Sequence, residues 1–271
     1  MTTANDSELC TRAYESSVRA MCIALARAGG GQVLRQNDAL ITMLPFEHFA
    51  NAVHSPRFSA ADAPRRIAEI LDLFHTWNVG VRFRLGASSA PALDGCFERP
   101  RFVRLRQPFM ASPLARLRVA FPPVPELEMY PVVDYALFQQ KKHPAAGAMR
   151  PWKAGALMRT YQRLAEERPR KHWTLAAEQG GRIVASACLY FHETTATGYG
   201  FQVERDLRRQ GIGTALLREM LALAREQGAE LAVLTSSAMG THFYPHFGFR
   251  QMGRALTFHC SRERLMRGSE A

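Results

Sequence analysis

The sequence predicts a mixed α/β fold made of two related halves. Apolar residues recur at helical spacing in some segments and alternate in others, which calls for both element types around shared cores. A proline-rich stretch divides the chain, and a helix–strand series recurs at an offset of about 148 residues.

The chain opens with a helix over Ser7–Ala28, where Leu9, Ala13, Val18, Met21 and Leu25 fall near one face, and Gly29-Gly30-Gly31 stops it. Two short strands follow at Gln32–Leu34 and Ala39–Leu44. Asp62 and Pro64 start a second helix with Ile67, Ile70, Leu71 and Phe74 on its inner side. Val79–Leu85 and Phe102–Phe109 read as strands. Prolines at 113, 122, 123 and 125 mark residues 111–125 as a linker. Beyond it come a strand at Glu126–Val133, a helix at Pro151–Glu167 begun by its proline, and strands at Trp173–Glu178, Arg182–Phe191 and Thr195–Val203. A helix over Gly211–Gln227 carries Ile212, Leu216, Met220 and Leu223 inward. Strands at Leu231–Leu234 and Gly248–Phe258 close the chain.

The repeat aligns helix Ile67–Trp77, Gly80, strand Val81–Leu85 and Ser88-Ser89 with helix Thr214–Gln227, Gly228, strand Leu231–Leu234 and Ser236-Ser237. Three expected regions result: a domain at 1–110, a linker at 111–125 and a second domain at 126–271.

With 271 residues and 47% apolar content, the chain is long enough for two cores. No run approaches the roughly 20 apolar residues of a membrane span, and the first residues lack an export pattern, so a cytoplasmic protein without membrane contact is expected. Five dispersed cysteines read as reduced thiols. His242 and His246 share a helix-like spacing but have no acidic or cysteine partner at ligand spacing, so no metal is expected. The net charge of +11 is spread over both halves; it suits a polyphosphate-bearing ligand, and equally nucleic-acid contact or plain solubility.

The most informative segment runs from Phe201 to Thr214. It combines a strand, a short turn and a glycine-bearing helix start. A helix N-terminus offers backbone N–H groups without intrahelical partners, and Gly211 and Gly213 let a diphosphate approach them. Arg208, Arg209 and Gln210 add donors. The lysine of a Walker loop and a G-x-G-x-x-G pattern are both missing.

This array resembles the GNAT superfamily of acyl-CoA N-acyltransferases, whose cofactor motif Arg/Gln-x-x-Gly-x-Gly/Ala appears as Arg208-x-x-Gly211-x-Gly213 after Val203. The later Tyr-x-x-x-Gly-Phe motif appears as Tyr244-Pro245-His246-Phe247-Gly248-Phe249. The resemblance covers roughly residues 126–258. It implies a tandem arrangement, since the N-terminal half looks like the same fold without its active parts: residues 60–65 hold no glycine, and Cys96 or Phe97 stands where Tyr244 would.

By the same resemblance, acetyl-CoA or another acyl-CoA is the co-substrate, held by Phe201, Gln202, Val203, Arg208, Arg209, Gln210, Gly211, Ile212, Gly213, Thr214 and Ser237. A primary amine on a small molecule or peptide attacks the thioester directly. Val203 is the expected backbone oxyanion donor within Phe201–Val203, and Tyr244 the general acid. Ser237 fits a cap as well as a ligand contact. The base is open among His192, Glu193, Glu178 and Tyr199, with His192 carried as the catalytic candidate. Thr197 stands near the position where some members place an acidic base. An idle acyl-CoA sensor and a basic nucleic-acid or ribosome-associated module are the alternatives. A monomer or homodimer is expected.

Overall fold

The structure is a computed structural model that describes residues 4–86, 90–97, 101–116, 124–142 and 151–267. Ser88 and Ser89 of the sequence repeat, and prolines 122 and 123 of the expected linker, lie outside the described residues.

In chain order the elements are α1 (Ala4–Ala28), β1 (Gln32–Arg35), β2 (Leu40–Met43), β3 (Ala52–His54), α2 (Ala63–Thr76), β4 (Val81–Leu85), α3 (Ala90–Leu93) and β5 (Val103–Pro113). Then come β6 (Glu128–Pro131), α4 (Tyr135–Lys141), α5 (Pro151–Glu166), β7 (His172–Gln179), β8 (Arg182–His192) and β9 (Thr195–Val203). The chain ends with α6 (Ile212–Glu226), β10 (Leu231–Thr235), α7 (Gly240–Phe243), β11 (Arg250–Cys260) and α8 (Arg262–Arg267). Short 3-10 turns lie at Asp94–Cys96, Leu114–Arg116, Arg205–Leu207 and Tyr244–Phe247.

Besides the short helices α3 and α7, three elements were not expected. β3 is only three residues long and wholly buried, so no alternation marks it. In α4 the helix is set by Asp134, whose carboxylate accepts the amides of Ala136 and Leu137. α8 is a single short turn-and-a-half near the C-terminus.

The chain forms two compact units, Met1–Met21 with Pro108–Gly253, and Cys22–Gln107 with Arg254–Ala271. These do not follow the expected boundaries of 1–110, 111–125 and 126–271. Residues 111–113 complete β5 instead of starting a linker, and they pair antiparallel with β10. The C-terminal end of β11 likewise pairs antiparallel with β4. Each unit thus takes the end of the other repeat's last strand, an exchange that no local pattern in the sequence records.

The repeat itself is seen element by element. Helix, strand, short helix and 3-10 turn follow in the same order in α2–β4–α3 and α6–β10–α7, each series ending in a strand of 11 residues. The N-terminus of α2 has Asp62 at its cap and proline in its first turn, where α6 has glycine at its cap.

In the first unit the strands run β5–β10–β9–β8–β7–β6, antiparallel except for β9 with β10. α6 lays Ile212, Leu216, Met220 and Ala224 against Leu175, Ala177, Val184, Ala187 and Leu189. Leu216 is wholly buried; trimming it to alanine should cost about 2–5 kcal/mol. This packing fixes where the helix begins, and hence the position of its N-terminus. In the second unit β1–β2–β3–β4 and the end of β11 form a sheet whose core includes Ile41, Phe74, Phe83, Phe97 and Phe258.

Candidate active site

The site begins with an irregularity in β9. Cys188 pairs with Tyr199 and Ser186 with Gln202, so Gly200 and Phe201 together oppose Ala187. Gly200 takes φ +62°, a conformation that favours glycine, and the pair forms a bulge. The bulge resets the side-chain alternation. A Cβ on Gly198 would meet Met220 of α6, yet three residues later Phe201, and then Val203, also lie against the start of α6, beside Gly213. A regular strand would have turned both away.

The bulge also lies where β9 and β10 part. Their parallel pairing runs from Thr195↔Leu231 to Gly198↔Leu234 and ends there, while β9 continues to Val203. At the far end Glu204 N donates to Val184 O at 2.9 Å. Residues 184 and 204 are therefore a bonded pair, and the neighbouring Ala185/Val203 pair turns its amides and carbonyls away from β8. The Val203 carbonyl accepts from Arg208 Nε at 3.2 Å. Its N–H points to the side that β10 has left.

After the 3-10 turn the chain makes two left-handed steps, Arg209 at φ +66° and Gly211 at φ +85°. Gly211 is the cap of α6 and brings no capping side chain. The first helical amides therefore stay open to a ligand, with the positive end of the helix dipole behind them. A Cβ on Gly211 would also come within 3.2 Å of Val124 Cγ2. Arg208, Arg209 and Gln210 are exposed around this turn, with Gln210 Nε2 held by the Asp206 carbonyl at 3.3 Å. Ile212 is buried and anchors the helix start; Gly213 and Thr214 are half-buried beside it. This open, cationic, glycine-capped helix end fits a diphosphate.

Tyr244 sits across from the bulge. Its ring meets Phe201 edge-on at 6.2 Å and packs with Phe243 and Phe249. Burial pushes its phenol up to about 12, so the group is a neutral proton holder at physiological pH. Gly240, which the sequence did not single out, makes room for that ring. A Cβ there would lie 2.8 Å from Tyr244 Cε2 and 2.9 Å from Ser236 Oγ. The signal existed only as a glycine four residues before the tyrosine, one helical turn away. Ser237 Oγ accepts from Gly240 N at 3.2 Å, so its side chain ties this turn together.

Other candidates do not join this group. His192 pairs with Thr195 at the opposite end of β9, six residues and roughly 20 Å of strand from Phe201. Its Nε2 lies 3.1 Å from Ser16 Oγ. Hairpin ends and strand ends look alike in sequence, and the direction of β9 separates His192 from the site. Glu193 is exposed in the same turn. Glu178 receives Lys141 Nζ on both oxygens at 2.8 and 2.9 Å, and this contact, with Tyr130, holds its pKa down. Thr197 bonds Ser17. Tyr199 is half-buried on the other face of the sheet, in a ring cluster with Tyr161 and His172.

A family model for the acetyltransferase (GNAT) family matches residues 138–249, which takes in the bulge, the glycine turn and Tyr244. Residues 138–249 form a GNAT domain. No curated protein sequence matches the chain. Among solved structures, a GCN5-related N-acetyltransferase from Kribbella flavida is 16% identical with a TM-score of 0.62, over 89% of this chain and 95% of that one. A functionally unknown conserved protein from Staphylococcus epidermidis gives 11% and 0.61, over 84% and 92%. A GCN5-related N-acetyltransferase from Sphaerobacter thermophilus gives 15% and 0.53, over 92% and 93%. These likenesses are of fold, and they extend beyond the GNAT domain to most of the chain. Among the described residues no helix is long and apolar enough to cross a membrane, and no cluster of His, Cys, Asp and Glu could hold a metal ion.

Proposed function

We propose that the protein transfers an acetyl group from acetyl-CoA to a primary amine by direct attack on the thioester. The observation that carries this reading is that the pairing of β9 with β10 ends at Gly198 while β9 runs on to Val203, and from it we infer a slot leading from the bulge to the glycine-capped start of α6. A slot with backbone amides along one side suits an extended pantetheine arm, and the helix start suits the diphosphate that follows it.

The bound thioester supplies an electrophilic carbonyl and a thiolate leaving group. Val203 provides an amide on the open side of β9, and Phe201 stands two residues before it at the bulge. Val203, whose amide faces that side, and Phe201 at the bulge, whose ring meets Tyr244, are the candidates to hold the carbonyl oxygen as it gains negative charge. Tyr244 donates its hydroxyl hydrogen toward the departing sulfur. A phenol raised to about 12 is a weak acid, so it acts by a hydrogen bond that strengthens as the thiolate forms. The proton lost by the amine leaves through water, since no candidate base stands beside Phe201.

The test is thiol release from acetyl-CoA across a panel of amines, paired with calorimetry of CoA binding. Amine-dependent thiol release supports the transfer. Heat of binding with no thiol from any amine leaves an acyl-CoA-binding protein, and absence of binding removes the reading.

A further inference from the structure

A second cationic recess lies close to the proposed slot, at the end of β9. A cavity of ≈ 260 Å³ is bordered by Lys142, Ser186, Gln202, Glu204, Arg205 and Arg208. That is below the roughly 300–1,000 Å³ of sites that enclose a whole drug-sized ligand, so it suits one functional group or the end of a small molecule.

Lys142 is the unusual member. Its neighbour Lys141 is neutralised by both oxygens of Glu178. Lys142 has no carboxylate within ion-pair distance among the described residues, and its ammonium stands 5.2 Å from the centre of the Phe138 ring. Burial lowers its pKa, the mark of a cation short of water and counter-ion. Arg205 and Arg208 add positive charge. The single acidic member, Glu204, has one oxygen on Arg182 at 2.7 Å, and its Oε1 is buried with no hydrogen-bond partner among the described residues. Ser186 Oγ accepts from Gln202 Nε2 at 2.9 Å and keeps its own hydrogen to donate.

The cavity adjoins the diphosphate cradle, and Val203 and Arg208 border it as well. Gln202 reaches it from one face of β9, whereas Val203 turns its side chain to Gly213 on the other. Lys142 and Ser186 border the cavity and take no part in the cradle. Measured along β9 the cavity lies two or three residues from the bulge, roughly 7–10 Å.

We propose that this cavity binds the carboxylate or phosphate of the amine acceptor, so that the substrates are small anionic amines, such as amino acids or amino-sugar phosphates. The inference rests on the transfer proposed above. Lys142 and Arg205 pair with the anion, and Glu204 Oε1 takes a hydrogen bond from a hydroxyl or amide on the same molecule.

The experiment uses the full chain and matched pairs: phosphoethanolamine with ethanolamine, β-alanine with its amide, glucosamine 6-phosphate with glucosamine. The anionic member should be favoured in kcat/KM. Lys142→Met should raise its KM about 10- to 100-fold while leaving the acetyl-CoA KM unchanged, and Lys142→Arg should restore it. Equal use of both members, or a Lys142→Met effect on the acetyl-CoA KM instead, overturns the proposal. A readout independent of turnover is the melting temperature with inorganic phosphate, with and without saturating CoA. Phosphate should raise it in the parent more than in Lys142→Met, and equal shifts overturn the cavity even where transfer stands. If no amine releases thiol yet the phosphate shift needs Lys142, the transfer has failed and the anion site remains.

Discussion

Tyr244 meets Phe201 edge to face with ring centres 6.2 Å apart, which ties the turn after β10 to the bulge in β9. The two strands part just below this contact. In the transfer proposed above, this phenol is the group set to meet the sulfur of an extended thioester.

Tyr244→Phe keeps the ring contacts with Phe201, Phe243 and Phe249 and removes only the hydroxyl. Turnover should fall by about 10²–10⁴-fold if the phenol assists the leaving thiolate. CoA affinity by calorimetry should be unchanged. Retained turnover would show that the tyrosine is there for packing alone.

Gly240→Ala tests the same group from a distance. The new methyl would sit 2.8 Å from Tyr244 Cε2 and 2.9 Å from Ser236 Oγ, so the ring or the turn has to shift. Since a misplacement of about 1 Å can cost on the order of 10²-fold, kcat should drop with little change in CoA binding. A fully active Gly240→Ala enzyme would mean that the ring position is not critical.

Gly211→Ala acts on the cradle. At φ +85° an alanine is strained by roughly 1–2 kcal/mol, and its methyl would crowd Val124. Stability should fall by about that amount, and CoA affinity should fall with it as the first amides of α6 turn. A variant with normal CoA binding would place the diphosphate elsewhere.

Much of this site could be read from the sequence because its signals are local. Arg208, Gly211 and Gly213 mark a helix start within six residues, and Tyr244 with Gly248 marks the later turn. The bulge at Gly200 was visible only as two glycines in a strand, with no sign that it turns Phe201 and Val203 toward α6. His192 lies apart from the bulge for a geometric reason: a candidate chosen for its titration range has no address along β9 until the hairpin register is known. The exchange of β5 and β11 is set by long-range pairing, which periodicity cannot report. Lys142 carries no motif, and its meaning comes from Glu178 choosing Lys141.

The buried His172 makes acid stability a sensitive property of the first unit. Its ring is stacked on Tyr161, fully buried, with neither nitrogen bonded among the described residues. Burial, helped by Arg170, lowers its pKa to about 3. A folded pKa below the unfolded value of about 6.5 means that the unfolded chain takes up the proton first. The stabilisation is complete above pH 6.5 and is lost as pH falls toward 3, at about 1.4 kcal/mol per pH unit for this one group. Amide exchange of β7 and β8, followed by mass spectrometry at pH 7, 6 and 5 with intrinsic rates corrected, should show protection falling along that slope. His172→Phe keeps the stack and removes the titration, so its slope should be shallower by one proton. Identical slopes in parent and variant would show that the imidazole is reached by protons in the native state.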